Sequence, residues 1–107
     1  MTDEVCEVVI TAPDAEWLAQ YTRRLVDERL AACGHNIAEI RSIYRWQGEV
    51  YDKPEARVAL HTRRSLLDQI IDRTNREHPY EVPCVIATTF DGNPEYLQWV
   101  LDETSKG

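Results

Sequence analysis

The sequence predicts an α+β fold of the ferredoxin-like, split βαβ type, with elements in the order βαββαβ and an added C-terminal helix. The first observation is that β-branched apolar segments alternate with amphipathic segments in this order. The second is a long two-stranded hairpin pattern in the middle of the chain. The third is the length of 107 residues with 43% hydrophobic content, which is typical of one globular domain. We therefore expect a single domain over residues 1–107, with two helices on one face of an antiparallel sheet.

The first strand and the first helix follow from two different periodicities. Residues 4–11 are β-branched and mostly apolar, which is typical of a strand covered on at least one face. Pro13 and Asp14 then interrupt the pattern, and either Ala12 or Asp14 is the N-cap of the helix that follows. Spacings of three and four residues define the apolar stripe of this helix: Leu18, Tyr21, Thr22, Leu25, Val26 and Leu30.

The middle of the chain reads as a β-hairpin. Small, turn-prone residues 31–36 lead into a second strand predicted over residues 37–46. The Gln-Gly pair at 47–48 makes the turn. A third strand is predicted over residues 49–62, with a break near residues 52–54 because proline cannot donate to a strand ladder. The break suggests an edge strand or a bulge.

The arms of this hairpin are longer than ordinary strands. Strands usually run about five or six residues, so we expect the far end of the hairpin to extend beyond the two helices. Tyr44, Trp46 and Tyr51 fall in that extension. Alternate aromatic residues on an uncovered strand favour an interface row over a site that stacks a planar ligand. We therefore expect self-association through Tyr44, Trp46 and Tyr51.

The second half of the chain repeats the helix–strand pattern. Ser65 and Asp68 have the spacing of a capping box ahead of an apolar helical stripe that ends before His78. A fourth strand is predicted over residues 82–90. An Asn-Pro pair at 93–94 is a suitable N-cap and first turn for a short terminal helix.

Composition excludes several classes of function. The formal net charge of −7 argues against a nucleic-acid partner, which needs a basic surface. The acidic N-terminus and the absence of a long apolar run argue against export or a membrane. Three distant cysteines, Cys6, Cys33 and Cys84, suggest neither a disulfide framework nor a structural zinc site and suit the reducing cytoplasm. Because no catalytic motif stands out, we expect a protein that is not an enzyme.

Five motifs resemble those of the CutA divalent-cation-tolerance family. They lie in order along nearly the whole chain, at residues 11–14 (TAPD), 29–33 (RLAAC), 42–48 (SIYRWQG), 78–83 (HPYEVP) and 96–99 (YLQW). The resemblance implies a homotrimer in which the long hairpins pair with neighbouring subunits, as in the PII signalling proteins. It agrees with the self-association expected from the hairpin aromatics.

The same resemblance implies a link to copper and other divalent cations. In some members of the family, copper ligands are assigned to a Cys just before TAPD and to a His-His pair opening the His-Pro-Tyr motif. Those positions are Ile10, Glu77 and His78 in this sequence. Ile10 has no donor atom, and Glu77 offers a hard oxygen where copper favours imidazole or thiolate. The expected site for Cu²⁺ or another divalent cation is therefore His78 with Glu77.

The resemblance also implies a pocket at the boundary between subunits. We expect this pocket to be lined by Cys33, His61, His78, Tyr80 and Glu81, with His61 standing where the family usually has Lys. Structural roles remain open for three of these residues. His78 can interact with the C-terminal dipole of its helix, which we favour. Tyr80 can fill a gap between subunits, and Cys33 is favoured as a small buried side chain over a reactive thiolate.

Two functions follow from the resemblance. The first is a trimeric divalent-metal-tolerance protein that binds Cu²⁺ or another divalent cation. The alternative is a PII-like signalling or scaffold module that binds a small anionic metabolite or a protein at clefts between subunits, an expectation based on fold analogy.

Overall fold

A computed structural model describes residues 3–105 and confirms the predicted α+β fold. One antiparallel sheet is formed by β1 (Val5–Ala12), β2 (Cys33–Trp46), β3 (Glu49–Arg63) and β4 (Val85–Thr89), in the spatial order β2-β3-β1-β4. No helix within the described residues is long and apolar enough to cross a membrane. In chain order the elements are β1 (Val5–Ala12), α1 (Ala15–Asp27), β2 (Cys33–Trp46), β3 (Glu49–Arg63), a 3₁₀ turn (Arg64–Leu66), α2 (Leu67–Glu77), β4 (Val85–Thr89) and α3 (Pro94–Glu103).

The main core lies between the sheet and helices α1 and α2, on a side that we call the helix face. Alternate residues of β1 and β3 point into this core because side chains alternate along a strand. The hydroxyl groups of Tyr21 and Thr74 lie 2.7 Å apart, and this buried hydrogen bond joins α1 to α2. Fully buried core side chains include Val8, Ile10, Leu18, Tyr21, Leu25, Val58, Leu60 and Ile70.

The opposite side of the sheet, which we call the open face, is covered near one end by α3. Val5, Ala32 and Val100 form a small second core there. Farther along the same face, Ile37 and Ile86 are 52% and 59% exposed. The open face therefore presents apolar side chains to solvent over part of its area.

The N-cap of α1 is Asp14. Its Oδ1 accepts hydrogen bonds from the backbone N–H of Glu16 at 2.8 Å and of Trp17 at 3.4 Å. An aspartate side chain satisfies otherwise unpaired donors in this way, whereas Ala12 has no acceptor to offer. Ala12 instead ends β1 and is fully buried.

The β2–β3 hairpin extends beyond the rest of the sheet, as the sequence predicts. Strand β1 pairs with β3 only as far as Ala56, so residues 49–55 continue past the end of β1. At about 3.4 Å per residue these seven residues add roughly 24 Å to the hairpin. Arg41 on β2 donates two hydrogen bonds to Asp52 on β3, at 2.8 and 2.6 Å, and so connects the two strands of the hairpin. We call this part of the molecule the hairpin extension.

The predicted break in the third strand is wrong, whereas the edge that it suggested is present. Pro54 pairs in register with Arg41, and β3 continues without interruption. The irregularity lies on β2, where Ala38 pairs with Ala56 and Ile40 pairs with Glu55. One additional residue of β2, at position 39, forms a β-bulge. Pro54 is tolerated because it lies beyond β1, where β3 has a free edge.

Three other boundaries differ from the prediction. The second strand begins at Cys33, because pairing with β3 extends it into the small residues expected to turn. The capping box is wrong: Ser65 lies in the 3₁₀ turn, and its hydroxyl donates to Asp3. The fourth strand is shorter than predicted.

Asn93 is the N-cap of α3 with Pro94 in its first turn, although the Asn93 side chain makes no capping hydrogen bond.

Candidate functional site

A cavity of about 630 Å³ lies between the hairpin extension and the loop at 78–84. We call it the hairpin cleft. The rings of Tyr44 and Tyr51 stack with centroids 5.5 Å apart and form one wall with Trp46. Tyr80 contributes from the loop. The three hairpin aromatics thus share one surface, as the alternation of β2 and β3 predicts.

A buried carboxylate lies in this aromatic cleft. Glu55 is only 7% exposed, and its Oε2 accepts a hydrogen bond of 2.5 Å from the Tyr80 hydroxyl. Burial, and then the contact with Glu55, raises the pKa of Tyr80, which therefore stays protonated and donates. Lys53 lies with its Nζ 4.9 Å from the centre of the Tyr51 ring, a cation–π contact. The cleft combines apolar walls with a few polar groups, as ligand pockets do.

His78 anchors the loop that closes the cleft. Its Nε2 is 2.8 Å from the carbonyl oxygen of Thr11, and its Nδ1 is 2.9 Å from the backbone N–H of Tyr80. Because a carbonyl only accepts and an N–H only donates, Nε2 carries the proton and Nδ1 accepts. The ring of Trp17 packs edge-on at 5.2 Å. Both nitrogens of His78 are therefore engaged within the chain.

Glu77 takes part in ion pairs between α1 and α2. Its carboxylate accepts from Arg73 Nε at 2.6 Å and from Arg24 Nη2 at 3.0 Å. The hydrogen bond from Arg73 is the largest of several effects that hold the pKa of Glu77 below its usual value. Ile10 is fully buried in the core. Within this chain, the geometry gives no support to a metal site on His78 and Glu77.

A second polar cluster lies on the open face under α3. His61 Nε2 is 2.9 Å from Glu7 Oε2, and His61 Nδ1 is 2.5 Å from the hydroxyl of Tyr96. The Cys33 sulfur lies 3.3 Å from the same hydroxyl. Burial, followed by the contact with Cys33, raises the pKa of Tyr96. We call Glu7, Cys33, His61 and Tyr96 the open-face cluster.

The five residues expected to line one pocket divide between these two places. His78, Tyr80 and Glu81 belong to the loop of the hairpin cleft, whereas Cys33 and His61 belong to the open-face cluster. The two places are separated along β1 by four residues, from Glu7 to Thr11, or roughly 13 Å. No group of three or more His, Cys, Asp or Glu side chains in residues 3–105 is already arranged to hold a metal ion.

Sequence reasoning missed three functional candidates: Glu7, Glu55 and Tyr96. Glu7 gave a signal, because it is a charged residue inside an otherwise apolar strand. Glu55 gave none, since the hairpin carries several exposed charges and only the folded loop shows which one is buried. Tyr96 looked like a helix-packing residue, and its hydroxyl contacts depend on where α3 docks.

Comparisons with known proteins agree with this fold. The family model described as CutA1 divalent ion tolerance protein matches residues 6–103. The Divalent-cation tolerance protein CutA of Thermus thermophilus is 39% identical over 98 residues, covering 91% of this chain and 95% of that protein. The protein of the same name from Pyrococcus horikoshii is 37% identical over 100 residues, covering 92% and 97%.

Solved structures give the same result. The crystal structure of CutA1 from Oryza sativa superposes with a TM-score of 0.92 at 34% identity, covering 99% of this chain and 98% of that one. The divalent cation tolerance protein of Thermus thermophilus superposes with a TM-score of 0.89 at 37% identity, covering 94% and 99%. The resemblance carried by the five motifs is confirmed: this chain belongs to the CutA1 divalent ion tolerance family.

Proposed function

We propose that this protein acts in tolerance of divalent cations, as a homotrimer assembled through the hairpin extension and by binding rather than by catalysis. The observation that carries the proposal is the hairpin extension. It projects beyond the end of β1 and exposes apolar side chains on both of its faces. Ile43 and Val50 are 64% and 60% exposed on one face, and Trp46 is partly exposed on the other.

Physical reasons favour a partner subunit over solvent at this surface. Long strand edges and clustered apolar side chains recruit other chains unless they are covered. A two-stranded ribbon that projects from its sheet also lacks the packing that stabilises a hairpin in water. Pairing between copies of this chain would cover both the edges and the apolar side chains.

The role in divalent-cation tolerance is supported by family membership and by charge. The related proteins of Thermus thermophilus and Pyrococcus horikoshii are named for divalent-cation tolerance. The chain has 19 acidic against 12 basic residues, so its field attracts cations. Such attraction is weak and unspecific, and a defined function needs ligands at one place.

The test is complementation. The chain is expressed in a bacterium that lacks its own family member and grows poorly in copper, and growth is measured against added copper salt. Restored growth is expected, together with a sedimentation mass three times the 12.4 kDa of one chain. Soluble protein that stays monomeric, or that leaves growth unchanged, would contradict the proposal.

The hairpin cleft supports a second candidate function, the binding of a small metabolite. Its aromatic walls and volume suit a small organic molecule. The cleft contains both the buried Glu55 and the ammonium of Lys53, so it has no excess of positive charge that would select the anionic metabolite suggested by fold analogy. Titration with a nucleotide should therefore show no saturable change in tryptophan fluorescence, whereas a saturable change would favour PII-like signalling.

A further inference from the structure

We propose that Cys33, His35 and His61 on the open face bind a thiophilic divalent cation of the Zn²⁺ type. The inference rests on the proposed role in divalent-cation tolerance and supplies ligands for it. It differs from the expected site on His78 and Glu77, which lies at the other end of β1 and whose side chains are engaged elsewhere.

The register of the sheet places the three side chains together. Cys33 and His35 are two residues apart on β2, so they share a face about 7 Å apart. His61 on β3 is the direct cross-strand partner of Cys33, where opposite Cα atoms lie about 4.5–5.5 Å apart. Three ligands from adjacent strands, with a fourth position left for water, match the coordination number of zinc.

Two of the three ligand atoms already converge. The Tyr96 hydroxyl lies 3.3 Å from Cys33 Sγ and 2.5 Å from His61 Nδ1, so one oxygen occupies the place to which both donors point. The exposed His35 ring meets the His61 ring at a centroid distance of 5.2 Å, nearly perpendicular. Binding requires the Tyr96 hydroxyl to move aside and the His35 side chain to rotate inward, which its exposure permits.

Glu7 supplies the outer support that metal-binding histidines need. Glu7 on β1 pairs directly with His61 on β3, and its carboxylate is 2.9 Å from Nε2 of His61. A carboxylate there fixes the proton on Nε2 and directs the Nδ1 lone pair toward Cys33. Carboxylate–histidine–metal arrangements of this kind orient the ligand and increase its basicity.

The ligand types select the cation. A thiolate and two imidazoles favour zinc and other borderline or soft ions over Mg²⁺ and Ca²⁺, which prefer oxygen. When the metal binds, the S–H bond of Cys33 breaks, the metal–sulfur bond forms, and the proton leaves to solvent. Both histidines bind as neutral imidazoles, so no redox step is involved.

The experiment is a titration of the full chain with Zn²⁺ by calorimetry, and with Co²⁺ while the near-ultraviolet thiolate-to-cobalt band is recorded. Saturable binding of one cation per chain, with the thiolate band, is expected. Cys33→Ser should abolish the band and weaken Zn²⁺ binding by at least about tenfold. Cys84→Ser is the matched control, because Cys84 is an exposed free thiol that would bind metal adventitiously.

Two further variants separate this site from others. His61→Gln should weaken Zn²⁺ binding as Cys33→Ser does, while His78→Ala should leave it unchanged. Circular dichroism of the metal-free variants checks that each remains folded. Binding that is lost in His78→Ala or Cys84→Ser but kept in Cys33→Ser would overturn this site and leave the tolerance function intact. Absence of saturable binding in the wild-type chain would also overturn it.

Discussion

His78 illustrates how the role of a side chain depends on what its atoms contact. As a family motif residue it suggests a metal ligand, yet its two ring nitrogens join the end of β1 to the loop after α2. Trp17 packs against the ring, and only 7% of the residue is exposed. The imidazole therefore positions the wall of the hairpin cleft that carries Tyr80.

Replacing His78 with Ala should destabilise the fold by about 2 kcal/mol, because a buried hydrogen-bonding side chain is lost and its partners are left unpaired. Urea denaturation followed by circular dichroism measures the change. His35→Ala is the matched control, since His35 is exposed and its loss should change stability by less than about 0.5 kcal/mol. Equal effects of the two substitutions would show that His78 does not anchor the loop.

Helices α1 and α2 are held together by charge as well as by apolar packing. Arg73 on α2 donates to Glu77 on the same helix and makes two hydrogen bonds to Glu28 just after α1, at 2.6 and 2.8 Å. Arg24 on α1 completes the network at Glu77. The Arg73 side chain is largely buried in this network, which makes it more than a surface ion pair.

This network makes acid stability depend on Glu77. Arg73 lowers the pKa of Glu77 in the folded chain, so the carboxylate stabilises the fold fully above the unfolded pKa of about 4.3 and loses its effect as pH falls through the lower folded value. Glu77→Gln should cost about 1 kcal/mol or less at pH 5–7. The difference in the free energy of unfolding between Glu77→Gln and wild type should become smaller below about pH 4.

Denaturant midpoints measured from pH 7 to pH 3 test this expectation. The exposed Asp91→Asn variant is the matched control and should follow the wild-type curve. A difference between Glu77→Gln and wild type that does not change with pH would show that its carboxylate contributes through packing and not through charge.

The order of the elements could be predicted from periodicity. Several contacts between residues that are distant in sequence could not. Apolar spacing identified all three helices and all four strands, because each element shows a clear pattern of its own. The Ser65 capping box failed because Asp3, distant in sequence, accepts the hydroxyl. The open-face cluster was missed because Glu7 and His61 meet only through strand register, which no local pattern contains.

The molecule as a whole measures 45 Å in its longest direction against 24 and 22 Å in the others, and the hairpin extension accounts for this elongation. One domain of this size would ordinarily bury its apolar residues in a rounder shape. Here Ile43 and Val50 remain outside on the extension. This elongated shape supports the proposed homotrimer.

In the proposed homotrimer, replacing Ile43 and Val50 together with Lys should yield monomers, because two charges would have to be buried in each contact. Sedimentation velocity at low micromolar concentration measures the change. Gln69→Lys on the exposed surface of α2 adds positive charge away from the hairpin and should leave the sedimentation coefficient of the wild type unchanged. A double variant that still sediments as the wild type does would place the subunit contact elsewhere.

The bulge at position 39 sets how this chain can vary in length. Before the bulge, even-numbered residues of β2 such as Gly34 lie on the helix face. After the bulge, even-numbered residues such as Tyr44 pair with odd-numbered residues of β3 and lie on the open face. Deleting Glu39 would remove the bulge and leave a regular ladder, because Ala38 and Ile40 already pair with the adjacent residues Ala56 and Glu55. Tyr44 and Trp46 would stay on the side of the cleft. Paired insertions beside the Gln47–Gly48 turn would keep every side chain on its face. Among relatives, we therefore expect the hairpin to lengthen or shorten at its tip by matched pairs, and a single residue of β2 to be gained or lost at the bulge.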